Sequence, residues 1–166
     1  MQTVTSSGTA RLTTPADNQI LIEREFAAPR HLVFEAWTTP ELVGRWWSAD
    51  MGETTHTEID LRVGGTWRYV MVTHDGFEVA FHGEYREIVT NERIVSTEAY
   101  EGLPDPEANA TPNTATFDDL GDGRTKLTVL VQCPSREVRD AIIESGMEGG
   151  LQKALNFLEE VARSLA

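Results

Sequence analysis

The sequence predicts an α+β fold in which a curved antiparallel sheet wraps around one long C-terminal helix. Three observations carry this expectation. Short segments that alternate apolar and polar residues follow one another along most of the chain. The connections between them are too short for crossover helices, so the strands must pair antiparallel. The C-terminal segment bears a single apolar stripe at helical spacing, which suits it to cover the apolar face of a sheet.

The first strand is expected over Ile20–Ala27, where Ile20, Ile22 and Phe26 share one face. Arg24 falls on that same face and needs a partner there, because a bare buried charge is costly. Glu84, Glu87, a backbone carbonyl or a ligand carboxylate could supply one. Two short helices follow. Pro29 suits a first helical turn, and Leu32, Val33, Ala36 and Trp37 repeat at helical spacing. Thr39-Pro40-Glu41 then combines a capping hydroxyl, a proline at the first position and an acid near the positive end of the dipole.

Strands are expected over Thr54–Leu61, Thr66–Thr73, Phe77–Val89, Arg93–Tyr100, Asn113–Leu120 and Arg124–Cys133. Asp75-Gly76 and Asp122-Gly123 are hairpin turns. The intervening Glu101–Pro112 is rich in proline and glycine and reads as a loop. A short helix begins at Pro134-Ser135. Ser145 and Glu148 have capping-box spacing before the long helix. Its stripe is Met147, Leu151, Ala154, Leu155, Leu158, Val161, Ala162 and Leu165.

The 166 residues fit one domain, here 20–166, preceded by a flexible tail over 1–19 that is rich in Thr, Ser and Ala and has no periodicity. The net charge of −13 argues against a nucleic-acid partner and against anionic membrane surfaces. No apolar run approaches the roughly 18 residues that span a bilayer, and the N-terminus lacks a signal peptide's apolar stretch. Cys133 is the only cysteine, which suits a reducing, cytoplasmic setting.

The ordered stretches Ala28–Trp37, Trp46-Trp47, Asp60–Tyr69, Phe81–Tyr85 and Ser145–Gly150 resemble the START-like superfamily. More narrowly, they resemble bacterial relatives of the C-terminal domain of the activator of the ninety-kilodalton heat-shock protein ATPase. The resemblance covers roughly residues 20 to 165 and implies a helix-grip fold, in which helix and sheet enclose a cavity. Relatives bind lipids, polyketides or flavonoid-like molecules, and some are cyclases or hydrolases. The namesake's separate N-terminal domain has no counterpart in these residues, so strong stimulation of a chaperone ATPase is not expected.

The expected function is binding of an apolar, lipid- or polyketide-like molecule. Arg24, Trp67, Tyr69, Met71, Phe81, Met147, Leu151 and Leu155 are the candidate ligand-binding residues. Trp67, Tyr69 and Met71 share one face of a strand, Phe81 lies across the Asp75-Gly76 hairpin, and the other three stack on the covering helix. Core packing is the competing reading of the same side chains. An enzyme using Arg24, His82 and Tyr69 is the alternative, and a chaperone-associated interaction protein is a third. A homodimer stays open. No phosphate-binding loop, nucleophile elbow or metal-ligand spacing is present, so no cofactor, catalytic residue or metal site is assigned.

Overall fold

The computed structural model describes residues 2–5 and 10–166, with side chains from Ala10 onward. The strands are β1 (Gln2–Thr5), β2 (Arg11–Thr14), β3 (Gln19–Phe26), β4 (Gly52–Ile59), β5 (Thr66–Thr73), β6 (Glu78–Val89), β7 (Arg93–Tyr100), β8 (Thr111–Gly121) and β9 (Arg124–Gln132). The helices are α1 (Arg30–Thr38), α2 (Pro40–Val43), α3 (Arg136–Glu144) and α4 (Met147–Ser164). All the strands join one nine-stranded antiparallel sheet in the order β1-β2-β3-β9-β8-β7-β6-β5-β4.

Turn chemistry sets the hairpins. Asp122 and Gly123 both take positive φ, 55° and 73°, which matches the right-handed twist of the strands they join. Gly76 turns β5 into β6 at φ 86°. A side chain at Gly83 would collide with the Trp67 indole, whose Nε1 reaches across β6 to donate to the Thr97 carbonyl at 3.2 Å. That bond ties β5 to β7 over the intervening strand.

The core lies between the sheet, α1 and α4. Phe26, Phe117, Leu127 and Leu158 are fully buried there. Phe34 and Trp37 of α1 meet the Phe117 ring edge-on at 5.4 and 5.9 Å, and Trp37 stacks on Trp46 at 5.3 Å. Trp37 and Trp46 are thus core residues.

Two expectations are corrected. Residues 11–14, expected within a flexible tail, form β2 against β3, with Leu12 1% exposed. Ala10 exchanges two hydrogen bonds with the Gln152 side chain of α4, at 3.0 and 2.8 Å. Asn18 pairs with the Cys133 backbone, and the Arg139 guanidinium donates to the Ala16 carbonyl. The segment hid its strand because Leu12, Thr13 and Thr14 are buried in succession, without alternation. Met1 and residues 6–9 lie outside the described residues. The second correction concerns Ser145, which closes α3 by donating to the Ile142 carbonyl instead of capping α4. Gly146, at φ 84°, makes the bend between the two helices, so no capping box forms.

If β2 is integral to the fold, Leu12→Ala costs about 2–4 kcal/mol by chemical denaturation, as large-to-small core changes do. A loss below about 0.5 kcal/mol, the surface-substitution scale, would return this segment to a tail.

Candidate functional site

Alternation along β5, β6 and β7 separates two faces with different chemistry. Arg68 of β5 pairs in register with His82 of β6, and His82 pairs with Ala99 of β7, on the outer face. There Arg68 grips Glu101 with two hydrogen bonds of 2.9 Å. His82 bridges Glu101 and Glu107, also at 2.9 Å to each. Arg68 foremost, aided by His82, holds the Glu101 carboxyl down at about 2. Burial works against the His82 imidazolium, but the two carboxylates outweigh it and raise its pKa. This network pins the start of the 101–110 loop to the sheet.

The helix-covered face carries Trp67, Tyr69, Phe81, Tyr85, Glu98 and Tyr100. Tyr69 pairs in register with Phe81, and Phe81 with Tyr100. The rings form a chain of contacts: Trp67 to Tyr69 at 4.7 Å, Tyr69 to Trp47 at 5.4 Å, Trp47 to Phe81 at 5.9 Å, and Phe81 to Tyr100 at 5.0 Å. Trp47 is delivered by the segment after α2.

Glu98 alternates with Tyr100 along β7 and so shares that face. Its carboxyl accepts from Asn113 Nδ2 at 3.2 Å, and Asn113 Oδ1 in turn accepts from Thr111 Oγ1 at 3.2 Å. Burial pushes the Glu98 carboxyl up, and the Asn113 bond opposes it. Among the described residues no cation stands against it. Burial, then the neighbouring Tyr85 and Glu98, push the Tyr69 phenol well up. Tyr69 and Tyr85 are near enough to influence one another's titration, and burial raises Tyr85 as well. Tyr69 and Glu98 are enclosed deeply among protein atoms, yet each keeps accessible surface and counts only as half-buried.

Of the candidate ligand residues, Trp67, Tyr69 and Phe81 converge here. Met147, Leu151 and Leu155 belong to the same hydrophobic cluster, with Leu155 buried and the other two half-buried. Met71 is buried but, among the described residues, falls outside that cluster. Arg24 is held elsewhere. Its guanidinium donates to Asn156 Oδ1 at 2.9 Å, lies 3.6 Å from Glu159 and covers the Phe26 ring at 4.6 Å. Its partners come from α4, in place of the expected Glu84 or Glu87. Arg24, His82 and Tyr69, the cast of the enzyme reading, do not meet. Cys133 is buried, and burial raises its thiol pKa.

Glu98 and Asn113 were missed by sequence reasoning. The available signal was the same one that singled out Arg24, a charged residue in phase with apolar neighbours, here Ile94 and Tyr100. A surface depression of about 240 Å³ lies apart from this face, between the start of α1 and the β6–β8 strands, and none of the candidate ligand residues line it. Among the described residues no group of His, Cys, Asp and Glu side chains could hold a metal. No helix there is long and apolar enough to cross a membrane.

The family model described as "Activator of Hsp90 ATPase homolog 1-like protein" matches residues 27–163. A crystal structure of a Rhodobacter sphaeroides protein is similar with a TM-score of 0.84 and 22% identity, covering 95% of this chain and 99% of that one. A solution structure of an Arthrobacter aurescens protein has a TM-score of 0.80 and 24% identity, covering 92% and 91%. A Chromobacterium violaceum protein has a TM-score of 0.75 and 27% identity, covering 89% and 98%. The comparison with curated proteins gave no match.

A raised folded-state pKa means that folded Glu98 holds its proton more tightly than the unfolded chain does. That contribution to stability is complete below the ordinary glutamate range and is lost as pH rises through the folded value. Glu98→Gln keeps the neutral shape and removes the titration. The variant therefore gains stability relative to the parent between about pH 4 and about pH 8, read by urea denaturation. A difference that stays flat across that range would contradict the assignment.

Proposed function

Because the chain belongs to the family of Activator of Hsp90 ATPase homolog 1-like proteins, whose fold it shares with the solved structures above, we propose that it binds a small, largely apolar molecule against the helix-covered face of its sheet. The observation that carries this reading is the state of Tyr69 and Glu98, which are enclosed by protein and still accessible. A side chain with those two properties borders a space that neighbouring atoms do not fill. Trp47 and Phe81, joined to Tyr69 by ring contacts, are likewise half-buried, as are Met147 and Leu151 on α4. An apolar wall with a few convergent polar groups is the usual chemistry of a small-molecule site.

In this reading Trp67, whose indole N–H is already bonded to Thr97, serves as wall. The polar contacts fall to Glu98, which keeps accessible surface, and to the neighbouring phenols of Tyr69 and Tyr85. Action on a chaperone ATPase rests on the family's description alone. The residues of the enzyme reading, Arg24, His82 and Tyr69, lie apart from one another.

The test pairs stability with binding. Side chains that border a space lose fewer contacts on truncation than packed ones, so Tyr69→Ala and Leu151→Ala each cost under about 2 kcal/mol, against about 3–5 for a filled core. N-phenylnaphthylamine, an uncharged apolar probe, binds the parent saturably and quenches its tryptophan emission, and both variants bind it about tenfold more weakly. Large destabilisation together with no probe binding by the parent would mean a filled core and end the reading.

A further inference from the structure

Glu98 lacks one thing that its surroundings are otherwise suited to hold. A carboxyl group buried without a counter-charge is unfavourable in its ionised form, and an opposite charge close by reverses that penalty. The fold contains a completed example of the arrangement. Around Arg24 the chain assembles a carboxylate from Glu159, an amide oxygen from Asn156 and the face of Phe26 at 4.6 Å, with the guanidinium among them. Around Glu98 it places the amide of Asn113 and, within electrostatic reach, Tyr69, which belongs to a run of touching aromatic rings. The chain supplies the cation in the first case. In the second, no described residue does.

Three further observations agree. Tyr69, Phe81, Trp47 and Tyr100 all keep accessible surface, Tyr100 being 39% exposed. Ring faces attract cations at up to about 6 Å from the centroid, and these rings, in contact with one another, would meet a cation on the surface they leave accessible. The net charge of −13 favours the approach of a cation over that of an anion.

Resting on the ligand-binding reading above, we propose that the ligand is an organic cation: an apolar body bearing an ammonium group, with the ammonium seated between Glu98 and the rings of Tyr69, Trp47, Phe81 and Tyr100. Asn113, held by Thr111, orients the carboxyl so that one oxygen faces the ligand. Glu98 then decides specificity, rejecting carboxylates and discriminating against neutral molecules of the same shape.

Phenyltrimethylammonium and its uncharged isostere tert-butylbenzene separate shape from charge. Titrated into the full chain at about pH 8, well above the ordinary glutamate range, the ammonium binds at least about tenfold more tightly, followed by tryptophan quenching. Glu98→Gln, with folding checked by circular dichroism, brings ammonium binding down to the level that the isostere shows on the same variant. The proposal is overturned if the isostere binds the parent as well as the ammonium does, or if the preference survives Glu98→Gln. It is also overturned if neither probe binds. In that last case, binding of N-phenylnaphthylamine would leave the apolar site standing, and its failure to bind would remove that site too.

Discussion

The width of the sheet governs the rest of the molecule. Nine strands at about 4.8 Å spacing make a surface on the order of 40 Å across. The one long helix available to cover it is about 10 Å wide. α4 alone therefore cannot cover that face, and α1 covers part of the rest through Phe34 and Trp37 against Phe117. Toward β3, β9 and β8 the face closes over Phe26, Leu127, Phe117 and Leu158, all at 1% exposure or less. Toward β5, β6 and β7 Trp67 and Tyr85 are buried, while Tyr69 and Phe81 stay half-buried and Tyr100 is exposed. In the proposed reading, the chain of aromatics and the segment carrying Trp47 would wall a gap that α4 does not close.

The two faces of β5–β7 divide the charge between them. On the outer face Arg68, His82, Glu101 and Glu107 satisfy one another, and the Glu101 carboxyl stays strongly acidic. On the covered face Glu98 has only a neutral amide partner, and its carboxyl is correspondingly weakened as an acid. The same residue type, three positions along the chain, thus has opposite behaviour because one side has cations and the other has rings. The first arrangement is suited to holding a loop, the second to meeting something from outside.

Much of the architecture was legible in the sequence because it follows from local signals. Strand alternation, two Asp-Gly turns and the α4 stripe led to the strand series and the gripping helix. β2 was illegible because its burial comes from pairing with β3 and from Gln152, far away in sequence, and Thr13 and Thr14 carry no apolar signature. The site was half legible. Trp67, Tyr69 and Phe81 announced themselves by phase, whereas Glu98 did not. The sheet buries apolar residues on both faces there, Val70, Ala80 and Ala99 on the outer one, so alternation no longer separates inside from outside. Arg24 was read as an inward cation in need of a partner, with a ligand among the choices; Asn156 and Glu159 of α4 stand beside it, and only the folded chain brings them near.

The central claim is that an unfilled space borders Tyr69, Phe81 and Leu151. Xenon enters apolar voids of native proteins and does not displace packed side chains. Diffraction from a xenon-pressurised crystal tests the claim with no assumption about the ligand. The account predicts a xenon atom in van der Waals contact with those three side chains. Rings packed directly against α4, with no xenon anywhere on the helix-covered face, would contradict it.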